Sequence, residues 1–543
     1  MVTNSQSFRN SVFLFLFCAV LLLTGLNKIE VNIMEARNFV SAREMVQNQE
    51  YLLTTLNNQP RYEKPPLPTW LTAISGTVLG FDSLFAMRLP VVLITILLVF
   101  AFYFFSRKLV LGSKQALQNG LILITSFYVF FAGRDNQWDM YTHSFMMVCI
   151  LFLWKLFQDD THQWRNSLLA GLFLGFSILS KGPVSFYALL LPFLISYGIV
   201  YHIPLRKKWI YFIGMLLSGL VISSSWYIYV RIKDPVAFQT IASRETANWS
   251  GYEVKPFYYY WSFFLQSGLW AILSLISLIY PYLKTRINDL KAYRFAFFWT
   301  LLALVFLSAI PEKKVRYLVP VLIPLALTTG FYIDYLIHSF KDRMTKWEKI
   351  PVYFSSGLIA LIGFAYSFAL IFMLQEKLYS HLFVGIFSSV LMVGCAVFIV
   401  KGLLRKDFNA IFYSMIVLFA AVVIGLTSLY KEVVNNPNYA SASFALNFEK
   451  DYQIKTYSLS AVAPEIVWDF GKPVPILEQT GDQISFPEEK QFGLMVDMKD
   501  SLMVKGLSSQ FNIKKLYRIN LHYKKSTKDR LVKDYYLFSK YPE

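Results

Sequence analysis

Apolar positions gather into stretches about as long as a bilayer is thick, separated by short charged gaps. A helix needs about 20 apolar residues to cross roughly 30 Å of hydrocarbon. By that measure the sequence predicts spans at 11–27, 84–106, 115–132, 140–157, 166–180, 183–201, 208–230, 259–281, 292–310, 317–337, 351–374, 379–401 and 409–429, about thirteen in all. The first lacks a small-residue cleavage site, so it reads as an uncleaved helix rather than a signal peptide. Beyond about residue 430 the pattern shortens and alternates, as in Ile454 to Leu459, Phe492 to Val496 and Leu516 to Leu521, with a helical stretch at 441–451. Alternation of period two reads as strand. The expected architecture is a polytopic α-helical membrane protein, residues 1–430, followed by a small α/β domain at 431–543.

The signs of the loops orient the spans. Arg107-Lys108, Lys155 to Arg165, Arg206 to Lys208, Lys284 to Arg294, Lys341 to Lys349 and Lys401 to Lys406 all fall on one side if every span is real. The positive-inside rule makes that side cytoplasmic. The N-terminus joins it, and an odd number of spans sends the C-terminal domain outside.

Composition agrees with a lipid-embedded chain. Of 543 residues 55% are hydrophobic, 17% aromatic and only 16% charged, and the mean hydropathy is +0.44. A soluble domain carries about 25% charged residues. The formal net charge of +18 reads as cytoplasmic loops rather than a nucleic-acid surface. Cys18, Cys149 and Cys395 each lie in an apolar run, which excludes a disulfide framework. The histidines show no HxxxH or HExxH spacing, and no Walker loop or Rossmann fingerprint is present.

Two outer loops break the charge rule. One contains Arg61-Tyr62-Glu63-Lys64-Pro65-Pro66; the other is Pro311-Glu312-Lys313-Lys314-Val315-Arg316 before Tyr317. Lys181, in Ser-Lys-Gly-Pro, also falls at an outer end. Such cations could pair with Glu312 and Glu63 or reach lipid headgroups; three separate sites converging on one face favour an anionic ligand, and phosphate suits the mobile charge of Lys and the planar fork of Arg. Carboxylates accompany them. Glu35 opens an amphipathic segment in which Phe39, Ala42 and Val46 share a face, part of interfacial helices expected at about 34–80. Asp139 opens the fourth span, with His143 one turn later. Each could simply favour a helix N-terminus; each could also serve as a general base toward an acceptor hydroxyl.

These residues resemble a known family. Met34-Glu35-Ala36-Arg37 followed by Arg43-Glu44-Met45, then Arg61 to Leu67, resembles the first outer loop of GT-C glycosyltransferases. The residues resemble those of bacterial aminoarabinose transferases that modify lipid A and, more distantly, of protein O-mannosyltransferases. Asp139, Ser180-Lys181-Gly182, Tyr258-Tyr259-Tyr260 and Lys313 to Pro320 extend it to about residue 330. The resemblance implies an enzyme of the bacterial inner membrane that takes a sugar from a polyprenyl phosphate, usually undecaprenyl phosphate. It transfers that sugar with inversion to a lipid, glycan or protein acceptor on the periplasmic face. It implies that Lys64 holds the lipid phosphate with Lys313, Lys314 and Arg316 nearby, and that Asp139 is an active-site carboxylate. Arg61, Tyr62, Lys181 and Tyr317 complete the expected substrate-binding set.

Two positions depart from the family pattern. The Asp expected immediately before Glu35 is Met34, which cannot take a proton; either Glu35 replaces it or Asp139 acts alone. The resemblance also implies a metal, with Glu63 at one ligand position, but the His expected after the outer-loop Glu is Thr246, following Glu245. The sequence itself requires no cofactor. The competing reading, a lipid-linked sugar flippase or secondary transporter, predicts paired broken helices and ionisable groups at mid-membrane; here the charges cluster at one face.

Overall fold

The computed structural model describes residues 2–110, 112–374, 382–434, 436–480, 483–524 and 529–541. The chain is mainly helical. Among the described residues nine helices are long and apolar enough to cross a membrane: Gln6–Leu23, Leu84–Leu109, Trp138–Gln158, Arg206–Lys233, Leu290–Ala309, Val315–Ser339, Lys346–Met373, Leu382–Arg405 and Phe408–Glu432. The other four expected spans are occupied by helices that are interrupted or less apolar. Residues 115–132 divide at Ser126 into Ser113–Thr125 and Phe127–Ala132. Residues 259–281 form the 3₁₀ turns Phe257–Tyr260 and Phe263–Trp270 and the short helix Ala271–Ser277. Gly268, at φ +60°, makes that break; a Cβ there would stand 2.2 Å from the Phe127 ring.

Burial orders the helices. The most apolar stretches of Trp138–Gln158 and Val315–Ser339 are 89% and 83% buried, against 28% for Arg206–Lys233 and 33% for Lys346–Met373. The first two therefore form the centre of the bundle. The outer pair turn Leu220, Val221, Phe354 and Phe368 outward, which is stable only against lipid.

Between the first two long helices lie two shorter ones, Ile33–Gln47 and Leu67–Leu79. Asn32 caps the former by accepting from the backbone N–H groups of Met34 and Glu35 at 2.9 and 3.2 Å. Residues 436–541 carry a mixed four-stranded sheet. Thr456–Ser458 runs parallel to Gln491–Val496, which pairs antiparallel with Val532–Lys540, which in turn pairs antiparallel with Phe511–Asn520. Alternate residues face opposite sides: Phe492, Leu494 and Val496 pack with Phe511 and Phe538, while Met495 and Tyr535 pack with Ile466 and Phe470.

This sheet-bearing segment docks on helix Ile33–Gln47. Arg43, 5% exposed, donates to the carbonyls of Val467 and Trp468 at 2.9 and 3.2 Å, at the end of helix Pro464–Phe470. Its guanidinium stands 5.4 Å from the Trp468 ring, which also packs on Phe39.

Candidate active site

Helices Trp138–Gln158 and Gln163–Lys181 pack side by side, so the first residues of one meet the last residues of the other. Thr142 Oγ1 donates to the Ser177 carbonyl at 2.9 Å and Ser177 Oγ to the Thr142 carbonyl at 2.7 Å. One turn above this reciprocal tie, Lys181 Nζ donates to Asp139 Oδ1. Gly182, at φ +79°, then ends the helix. Asp139 is 2% exposed, and its Oδ2 has no hydrogen-bond partner among the described residues.

Asp139 and Lys181 line a cavity of about 1020 Å³, into which Met34, Arg37, Arg61, Tyr62, Glu63, Lys64, Glu312, Lys314, Arg316 and Tyr317 also project. Segments almost 300 residues apart in sequence thus meet in one place. Lys314 Nζ donates to Glu312 Oε1 at 2.6 Å, and Tyr317 Oη donates to the same oxygen at 2.8 Å. Lys181 and Lys314 stand 4.7 and 5.7 Å from the Tyr317 ring. Burial tends to raise the Glu312 carboxyl, but the bonds from Lys314 and Tyr317 outweigh it and hold it below the usual carboxylate range. Arg61 stacks on Trp138 at 4.7 Å; burial lowers its guanidinium to about 10 against the pull of Glu63, so it remains charged at neutral pH. Arg316 Nε is buried and has no hydrogen-bond partner among the described residues.

Two expected site residues lie elsewhere. Glu35 is 1% exposed and accepts from Arg88 Nε and Nη2, both at 2.7 Å, and from the Asn136 backbone N–H at 3.1 Å. Arg88 also donates to the carbonyls of Leu26, Ile29 and Glu30. Glu35 therefore holds the chain between the first two long helices and turns away from the cavity, where Met34 stands instead. Lys313 is 3% exposed, and its Nζ donates to the carbonyls of Lys255 and Ile310 at 3.0 and 2.6 Å. It staples two loops together and does not line the cavity. Successive residues on a turn point apart, so Lys313 and Lys314 could not both face one ligand.

Sequence reasoning missed Arg37 and Arg244 as cavity residues. Arg37 follows Met34 by one helical turn, and Arg244 is a basic residue on the helix Pro235–Gly251. The loop-charge argument that marked Arg61 and Lys64 could have marked Arg244 as well.

The residues at the expected metal position do not fit a metal. Glu63 Oε1 accepts from Arg244 Nη2 at 2.5 Å, and Oε2 lies 3.8 Å from Arg61 Nε. Thr246 Oγ1 donates to the Ala242 carbonyl of its own helix at 2.8 Å. Among the described residues no three His, Cys, Asp or Glu side chains are grouped to hold an ion. The two guanidinium groups flanking this carboxylate neutralise it and repel a dication.

Comparison with known proteins gives this geometry a context. Residues 63–229 match the family model described as dolichyl-phosphate-mannose-protein mannosyltransferase. An undecaprenyl phosphate-α-4-amino-4-deoxy-L-arabinose arabinosyl transferase of Pseudomonas fluorescens is 27% identical over 340 residues, 59% of each chain. One of Shewanella sediminis is 25% identical over 349 residues, 61% of this chain and 60% of its own. The chain thus matches about three-fifths of the length of these relatives. The apo crystal structure of ArnT from Cupriavidus metallidurans aligns with a TM-score of 0.70 and 17% identity, covering 99% of this chain and 98% of that one. The same protein bound to undecaprenyl phosphate gives 0.67 at 16% identity, covering 97% of both. In sequence over about three-fifths of its length, and in fold over nearly all of it, the chain is similar to the aminoarabinose transferases, GT-C glycosyltransferases of the kind its first long loop resembles.

Proposed function

We propose that this chain is an inverting membrane glycosyltransferase. It moves a sugar from a polyprenyl-phosphate donor to a lipid, glycan or protein acceptor at the non-cytoplasmic face of the bacterial inner membrane. The observation that carries the reading is the cavity itself, where a buried carboxylate with one unpartnered oxygen faces Lys64, Lys181, Lys314 and Arg316. Buried charges in such number at one membrane face have a functional cause.

In this reading Asp139 takes the proton of the acceptor hydroxyl through Oδ2, while Lys181 holds Oδ1 and fixes the carboxylate's direction. The acceptor oxygen forms the new bond to the anomeric carbon as the bond to the phosphate oxygen breaks from the opposite side. Lys64, Lys314 and Arg316 stabilise the leaving phosphate, with Arg61 and Tyr62 shaping the wall beside it. Charge-assisted hydrogen bonds contribute about 1.5–3 kcal/mol each, more where water is excluded. No step passes through a metal. The four remaining segments cross the membrane alongside the nine long helices. That count leaves the N-terminus cytoplasmic and the α/β domain of 431–543 periplasmic, docked through Arg43 on the helix that carries Met34 and Arg37.

The test is transfer of radiolabelled sugar from a polyprenyl-phosphate donor in membranes containing the full chain. Lys64→Ala and Asp139→Ala should each abolish transfer. Wild-type turnover in both variants would overturn the site, and uptake of intact lipid-linked sugar without transfer would favour the flippase reading.

A further inference from the structure

The segment 61–66 and the helix Pro235–Gly251 carry opposite charges in crossed order. Glu63 meets Arg244 at 2.5 Å, and its neighbour Lys64 meets Glu245 Oε2 at 2.8 Å. The remaining oxygen of Glu63 faces Arg61. All five side chains line the same cavity. Each pair alone, partly exposed, would be weak. Two pairs crossing between neighbouring residues tie the helix to segment 61–66 along the cavity wall and leave Glu63 matched by two guanidinium groups.

We propose that Arg244 is the fixed cation of this site. With Arg61 it neutralises Glu63 and supplies, next to Lys64, the positive charge that the resemblance assigns to a divalent metal. The inference rests on the transferase reading for its kinetic part and not for its metal part. Arginine suits the role because it stays protonated at any physiological pH and offers five donors in a planar fork. One donor is committed to Glu63, and among the described residues no second carboxylate lies within ion-pair distance of Arg244. The rest of the fork can face donor phosphate. Without Arg244, Glu63 retains only the 3.8 Å contact to Arg61, and its charge then opposes an incoming phosphate.

Two measurements on the full chain in detergent test this. Elemental analysis and zinc titration by calorimetry should show substoichiometric zinc and no saturable site. One zinc per chain, lost in Glu63→Gln, would overturn the proposal. In the transfer assay Arg244→Leu should raise the donor KM about tenfold, the worth of one charge-assisted contact, with a smaller change in kcat. Arg244→Lys should restore most of the loss, and a chelator should leave wild-type transfer unchanged. A wild-type donor KM in Arg244→Leu, or transfer abolished by the chelator and restored by zinc, would overturn it. A wild-type chain inert toward every polyprenyl-phosphate donor would instead remove the transferase reading, while the zinc measurement would still decide the metal question.

Discussion

Asp139→Asn separates chemistry from architecture more cleanly than any other single change in this protein. The substitution keeps the shape of the side chain and an oxygen at the position that accepts from Lys181, and removes only the charge and the basicity. The lost basicity is the larger effect. A positioned general base contributes a factor of about 10²–10⁴, equivalent to roughly 3–5 kcal/mol on the barrier. The stability loss is smaller. Lys181 keeps a hydrogen bond but loses its counter-charge in a setting where the two side chains are 8% and 3% exposed. Removing one partner of a buried pair outright costs about 3–5 kcal/mol, and the retained bond holds the cost below that, at about 1–3 kcal/mol. The assay is transfer at saturating donor, with thermal unfolding of the same detergent preparation measured alongside. Asp139→Asn should remain folded with kcat down at least about a hundredfold. Glu35→Gln should do the reverse, lowering the unfolding temperature through the loosened Arg88 pair while the folded fraction turns over normally. A folded Asp139→Asn chain with kcat within about tenfold of wild type would refute the assignment of the base, and a folded but inert Glu35→Gln chain would refute its structural role.

Two other outcomes follow from the geometry. Asp135, between the helices Phe127–Ala132 and Trp138–Gln158, is pushed from 3.8 to about 7, first by burial and then by the charge of Glu35. A carboxyl raised on folding gives stability that is full below its unfolded value and lost as pH rises through about 7; the unfolding temperature should therefore fall between pH 5.5 and 8.5, and Asp135→Asn should flatten that slope. Arg43→Ala removes two charge-assisted bonds to the carbonyls of Val467 and Trp468, worth about 1.5–3 kcal/mol each; hydrogen exchange at 456–470 should quicken while helix Trp138–Gln158 stays protected, and unchanged exchange would show that the segment docks by other contacts.

Much of this was legible in the sequence because lipid imposes a simple rule. Every backbone polar group must be paired within a helix, so long apolar runs report themselves. Each of the nine long helices overlaps one expected span, with ends shifted by up to about five residues. Two of the other four segments were harder to read, because an apolar run looks the same whether its backbone is one straight helix or is broken at Ser126 or Gly268. Candidate site residues followed from misplaced charge, and that signal marked Arg61, Lys64, Lys181, Lys314 and Arg316, all of which line the cavity. It could not distinguish a cation aimed at a cavity from one aimed at a carbonyl, which is why Lys313 was grouped with Lys314.

What the sequence determined by itself was the solvent, the repertoire of charges and the face on which they gather, since all three depend on local composition and loop sign. What only the tertiary structure decided was pairing. Glu35 and Asp139 are both first-turn carboxylates on neighbouring elements, indistinguishable by position. One meets Arg88 with both oxygens and is spent holding the fold; the other meets Lys181 with one oxygen and, among the described residues, keeps the second bare. That difference depends on residues about 40 to 50 positions away in the chain. A long-range contact is a property of the packed helices, not of any window along the sequence, so which carboxylate faces the cavity had to wait for the fold.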